Sequence, residues 1–175
     1  LSYRSKLLEV EEMKLKLYSK NGNSDRHYQF QKWFLSKADL YTTVDKELSQ
    51  KVSDSVKAKI KECYYNCWKA VNDREFNNLD YCEGFVISDD LGVPLEHCWL
   101  TDPRGLVIDP TLIISGLKLE KQSKKYGTKS VGTNRIGSEY LGINFKKQEV
   151  NSFALQTKKA GTYLYLLFEG DQGEI

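Results

Sequence analysis

Proline is scarce, three in 175 residues, and histidine scarcer still, with only His27 and His97. No apolar run approaches the ~18 residues of a membrane span, and the amino end shows no signal-peptide-like apolar segment. Charge of neither sign dominates. The chain has 26 Lys and Arg against 24 Asp and Glu, a formal charge of +2, so no global field recruits nucleic acid or an anionic membrane. Neither is expected as a partner. There is no internal repeat and no low-complexity tract. The four cysteines, at 63, 67, 82 and 98, cluster in the middle third instead of spreading as a framework that staples a small secreted fold. They read as reduced thiols in a cytoplasmic protein.

What is present is an ordinary folding sequence with eleven tyrosines, and that aromatic supply argues against disorder. The length suits one hydrophobic core, and 1–175 reads as a single domain. Its parts are a helical stretch over 1–60, a chemically rich centre over 61–112, a loop over 115–139 and remaining strands over 140–175.

Helical spacing of Leu7, Leu8, Val10 and Met13 predicts a first helix. Ser24 or Asp25 predicts the cap of a second, reaching about Ser36 and burying Tyr28, Phe30, Trp33 and Phe34. Thr42, three residues before Asp45, predicts the cap of a third, whose stripe Val44, Leu48, Val52, Val56, Ile60 recurs every fourth residue. That strict spacing drifts around a straight helix, so a break is expected between Lys59 and Glu62. A fresh helix beginning there puts Cys63 in its first turn.

The period then changes to two. Tyr81–Ile87, Leu95–Thr101 and Leu106–Asp109 read as strands of an antiparallel meander turned at Asp89–Gly92 and Asp102–Gly105. Ser115–Glu139 reads as a long loop. Tyr140–Phe145 and Tyr163–Phe168 read as two further strands, the second continuous in apolar residues and so expected at the centre of the sheet. The expected fold class is α+β, with helices packed on one side of an antiparallel sheet of about five strands.

The turn Asp102-Pro103-Arg104-Gly105 fits a type I turn followed by a left-handed Gly, a three-residue hairpin loop. Such a loop sets Trp99 opposite Asp109, and His97 then lies diagonally across from Asp109 on the same face. A slip of one residue separates them. A carboxylate that accepts one ring N–H fixes the imidazole tautomer and leaves the other nitrogen as a general base. A cysteine beside that base yields a thiolate–imidazolium pair, and a helix start adds a positive end and free N–H groups. A structural His on a sheet, cysteines in a core and an Asp ending a strand are the alternative meanings of the same three residues. Zinc is the other use of this Cys/His set, but the cysteines lack the tight Cys-x-x-Cys spacing of paired knuckles. No metal or organic cofactor is expected.

The pieces Cys63-Tyr-Tyr-Asn-Cys67, Tyr81-Cys-Glu-Gly-Phe85, His97-Cys-Trp99 and Asp109-Pro-Thr111 follow one another in order. This run resembles the core of the transglutaminase-like superfamily, a branch of the papain-like cysteine enzymes, over Cys63 to Thr111. The resemblance implies a papain-like/transglutaminase-like core. It implies Cys63 as nucleophile, His97 as base and Asp109 as its orienter, with Cys67 the rival nucleophile. It also implies acyl transfer on an amide, thioester or isopeptide bond of a protein or peptide substrate, most simply by a peptidase-type hydrolase. Tyr64, Glu83 and Trp99 are the candidate cleft-lining residues, and Gln50 and Asn66 the candidate oxyanion donors. A binding protein that keeps the fold without the chemistry, an inhibitor or adaptor, is the other function class.

Overall fold

The computed structural model describes residues 5–22, 25–87, 93–116, 125 and 137–172. The alternative cap Ser24, the turn over 89–92 and most of the loop over 115–139 lie outside these. The described chain is α+β, with element order α1 (Lys6–Ser19), α2 (Arg26–Lys37), β1 (Asp39–Tyr41), α3 (Lys46–Val56), α4 (Cys63–Asn72), β2 (Asp80–Ile87), β3 (Leu95–Thr101), β4 (Val107–Ile108), β5 (Glu139–Phe145), α5 (Lys147–Thr157) and α6 (Leu164–Asp171). The strands form one sheet in the order β1-β5-β2-β3-β4, and every neighbouring pair is antiparallel. Among the described residues no helix is long and apolar enough to cross a membrane.

The period-two alternation of β2 sorts its side chains between two clusters. Tyr81 and Ile87 join Cys98, Leu100, Ile108, Leu141, Ile143 and Phe145 in the main core, together with buried residues from all six named helices. Cys82 and Val86 face the other way, into a smaller cluster with Trp99, Val107 and Tyr140. The named helices therefore supply the core on one face of the sheet. The opposite face is closed by Tyr41, Val44 and Leu112.

Helix starts follow local chemistry. Asp25 caps α2, its carboxylate accepting from the His27 and Tyr28 N–H groups, and His27 itself is exposed. Tyr28 is half-buried while Phe30, Trp33 and Phe34 are buried. The third cap is Asp45, not Thr42: Asp45 Oδ1 accepts from Leu48 N at 2.9 Å. An aspartate at the N-cap performs alone the role expected of the Thr–Asp pair. The stripe does break before Cys63, but earlier than the expected Lys59–Glu62: α3 ends at Val56, Lys57 is left-handed at φ 52° and α4 begins at Cys63, which leaves Val44 and Ile60 outside both helices.

Two strand expectations are corrected. Tyr163–Phe168 is not a central strand. It forms the N-cap and most of α6, with Leu164 and Phe168 buried one turn apart. A short apolar run carries no period, so its state is decided from outside. Here Glu83 of β2 decides it, because one carboxylate oxygen accepts from Tyr163 N at 2.7 Å and Leu164 N at 3.1 Å. The described residues of 140–175 thus hold one strand and two helices. The fifth strand is instead Asp39–Tyr41, within the stretch read as helical, paired with β5.

Glu83 is buried, and its other oxygen accepts from the Tyr81 hydroxyl at 2.7 Å. Burial raises its pKa to about 7 against the opposing effect of these three donors. A carboxyl whose folded pKa exceeds its unfolded value of 4.5 stabilises the fold below pH 4.5 and loses that contribution as pH rises to about 7, a difference of about 3 kcal/mol. Urea unfolding at a series of pH values is expected to show wild-type stability falling over this interval relative to Glu83→Gln. Parallel curves for the two proteins would contradict the assignment.

Candidate active site

The hairpin carrying His97 and Asp109 is built by its turn. Gly105 N donates to Asp102 O at 2.9 Å, Gly105 takes φ 79°, and Asp102 N donates to Leu106 O at 3.1 Å. Pro103, Arg104 and Gly105 are therefore a three-residue loop of the expected kind. The Asp102 carboxylate holds it, accepting from Arg104 N and Leu106 N, both at 2.9 Å. Leu100 pairs with Ile108 and Thr101 with Val107, and continuing this register sets Trp99 opposite Asp109. His97 lies two residues further along β3 and on the same face.

His97 Nε2 and Asp109 Oδ2 are 2.8 Å apart in a buried hydrogen bond. The tautomer that suits this contact carries its proton on Nε2, leaving Nδ1 as the free ring nitrogen. Burial alone would lower the His97 pKa. The Asp109 charge and hydrogen bond, with a smaller contribution from the nearby Cys63, outweigh it and hold the ring well above its ordinary value. Burial likewise pushes Asp109 up, but the His97 charge and hydrogen bond, Leu112 N and the Tyr140 hydroxyl bring it below the usual carboxylate range. Both shifts favour the imidazolium–carboxylate form of the pair.

Asp109 is completely enclosed. Its Oδ1 accepts from Thr111 N at 3.1 Å and Leu112 N at 2.9 Å, while Oδ2 accepts from the Tyr140 hydroxyl at 3.0 Å as well as from His97. Its own N–H donates to Ser49 Oγ of α3 at 2.9 Å. Tyr140 is held in turn by Gly137 N, which donates to its oxygen at 3.0 Å. Sequence reasoning found neither Ser49 nor Tyr140. Tyr140 sits on a strand that was legible, but no local signal says that β5 pairs with β2 rather than with an edge.

Cys63 is the first residue of α4, and Glu62 before it offers no side-chain cap. The first intrahelical bond runs from Asn66 N to Glu62 O at 2.8 Å, so the N–H groups of Cys63, Tyr64 and Tyr65 have no acceptor one turn back. Cys63 is half-buried, whereas Cys67, Cys82 and Cys98 are fully buried. The Cys67 thiol donates to the Cys98 carbonyl at 3.5 Å, and burial pushes all three buried thiols above their ordinary pKa. Cys67, the rival nucleophile, is a core residue one turn inside the helix.

Asn66 is not an oxyanion donor. Its amide nitrogen donates to Lys59 O at 2.7 Å and Thr111 Oγ1 at 2.9 Å, and its oxygen accepts from Lys59 N at 3.1 Å. It ties the linker before Cys63, where Lys57 and Lys61 both take positive φ, to the Asp109-Pro110-Thr111 segment. Gln50 is spent on Asp54 at 2.8 Å along α3.

Of the three expected cleft residues, Tyr64 stands beside Cys63, half-buried, its hydroxyl donating to Glu96 Oε1 at 2.9 Å. Glu83 does not line a cleft: it is buried on the opposite face of the sheet from His97, against α6. Trp99 is completely buried between the His97 and Tyr140 rings, with centroids 6.4 and 5.1 Å away. It is a wall behind the imidazole, and its indole N–H has no acceptor among the described residues. Among the described residues no three Cys, His, Asp or Glu side chains converge as a metal site. No known family model, characterised protein or solved structure matches the chain.

Two outcomes follow from this shell. Nuclear magnetic resonance titration of the His97 ring is expected to show an imidazolium persisting above pH 6.5 in the wild type. In Asp109→Asn burial is left to dominate and the ring titrates below 6.5; an unchanged titration would contradict the ion pair. Tyr140→Phe deletes one donor to a buried carboxylate, and calorimetry is expected to show a loss of about 1–3 kcal/mol without loss of fold.

Proposed function

We propose that the chain is a cysteine-dependent acyl-transfer enzyme with Cys63 as nucleophile, His97 as general acid–base and Asp109 as its orienter. The observation that carries this reading is the buried His97–Asp109 pair. It spends Nε2 on the carboxylate, and Cys63 at the uncapped start of α4 is near enough to contribute to the electrostatics of the ring. A structural histidine has no need of a partly exposed thiol beside an otherwise enclosed ion pair. The resemblance of Cys63 to Thr111 to the transglutaminase-like core points the same way, and we take α4 with β2, β3 and β4 as a papain-like core.

The reaction begins with the Cys63 thiolate attacking a carbonyl carbon of an amide, thioester or isopeptide bond. The oxygen of the tetrahedral species takes the negative charge beside the first-turn N–H groups of α4. His97 gives its Nδ1 proton to the leaving amine, or to the leaving thiol of a thioester, as the bond to carbon breaks and a Cys63 thioester remains. Neutral His97 then takes a proton from water, whose oxygen attacks the thioester carbon. The thiolate leaves, a carboxylic acid is released, and the thiolate–imidazolium pair is restored. An amine in place of water gives transfer instead of hydrolysis. Hydrolysis of a protein or peptide bond is the simplest form. A thiolate nucleophile accompanied by three unpaired thiols suits a reducing compartment such as the cytoplasm.

Brief treatment with iodoacetamide at neutral pH, read by mass spectrometry, separates this enzyme from a binding protein of the same fold. Cys63 is expected to react about a hundredfold faster than the other three cysteines, and to lose that advantage in His97→Ala. Uniform, slow labelling that His97→Ala leaves unchanged would sink the enzyme reading.

A further inference from the structure

A cleft of about 320 Å³ runs along α4, walled by Tyr65 and Trp68 on one side and by Ala154, Lys158, Lys159 and Ala160 at the end of α5 on the other. Its aromatic wall is a stacked pair, the Tyr65 and Trp68 rings lying 5.9 Å apart and 14° from parallel. The Lys69 ammonium stands 4.9 Å from the Tyr65 ring centre. The Trp68 indole N–H is buried without an acceptor among the described residues. No acidic side chain lines the cleft. Lys158 and Lys159 are exposed, and neither meets a carboxylate among the described residues.

The second wall is fixed in place. Lys158 and Thr162 take φ of 57° and 60°, uncommon for residues with a side chain, and Gly161 between them takes φ 99°. The Tyr163 hydroxyl donates to Lys159 O at 2.9 Å. Gly161 lies against Tyr64 so closely that an added Cβ would meet Tyr64 Cγ at 2.1 Å. The segment bearing the two lysines is thereby anchored to the residue that follows Cys63.

We propose that this cleft binds an acidic peptide segment, an apolar or aromatic side chain resting on Tyr65 and Trp68 and a neighbouring carboxylate meeting Lys158 and Lys159. The charged side-chain groups available to a ligand are cations, so the complementary ligand brings negative charge. Resting on the reading of Cys63 as nucleophile, the cleft is a substrate subsite. Trp68 lies five residues along α4 from Cys63, about 7.5 Å of helix rise and about 140° around the helix, so a bound segment reaches the cleft by wrapping the helix and not along one face. The enzyme then selects substrates that carry an acidic segment beyond the bond attacked.

The test uses a fluorescein-labelled Gly-Phe-Glu-Glu-Phe-Gly peptide and its counterpart with both Glu replaced by Gln. Binding to the full chain, as wild type and as Cys63→Ala, is read by fluorescence anisotropy. The acidic peptide is expected to bind about tenfold more tightly than the neutral one, an advantage lost in the surface double variant Lys158→Glu, Lys159→Glu. Equal binding of the two peptides, or binding indifferent to the double variant, overturns the site. The two readings fail separately. Lysine-dependent binding with a sluggish Cys63 keeps the site and removes its role in catalysis. A fast Cys63 with no preference between the peptides keeps the enzyme and removes the site.

Discussion

A charged imidazole and a carboxylate buried together are costly unless every remaining donor and acceptor is satisfied. The structure is arranged to meet that condition for His97 and Asp109. Asp109 takes two backbone N–H groups from the turn that follows it, a hydroxyl from β5 and the ring N–H from β3. Trp99 closes the side of the ring away from the charges. Each supplier sits on a different element, so the pair constrains the register of β3 against β4, the placement of β5 beside β2 and, through Ser49, the seat of α3.

The same constraint reaches Cys63. Asn66 bonds both the Asp-Pro-Thr turn and the linker that precedes α4, so the residue that fixes the helix start also fixes it relative to Asp109. An asparagine that looked available for oxyanion binding is instead the brace between the start of α4 and the Asp109-Pro110-Thr111 segment. Any stabilisation of an oxyanion then falls to the unbonded N–H groups of the first turn of α4, a feature of where the helix begins rather than of any side chain.

What was legible in the sequence was local. The Asp102–Gly105 turn has chemistry that selects one loop length, and loop length selects register, so the same-face placement of His97 and Asp109 could be read before any coordinates. Four-residue spacing after Val44 could not continue on a straight helix, and the break before Cys63 follows from that geometry. What was not legible depended on partners far along the chain. Tyr163–Phe168 is helical because Glu83, eighty residues earlier in the sequence, caps it. Glu83, with its alternating neighbours, reads equally well as a cleft residue until that partner is known. Tyr140 bonds Asp109 across 31 positions, and Asp39–Tyr41 is too short to show a period. The difference in burial between Cys63 and Cys67 was not legible either, because their common helix face does not reveal it.

A Cys63 thiolate that attacks carbonyls leaves a covalent trace. Brief exposure of the intact chain to p-nitrophenyl acetate, followed by mass spectrometry of its peptides, is the most direct measure of it. The account predicts one acetyl group, on Cys63, formed in a burst of nitrophenolate, decaying in water, and absent from both Cys63→Ala and His97→Ala. Acetylation spread over lysines and other cysteines, or an equal yield in His97→Ala, would contradict it.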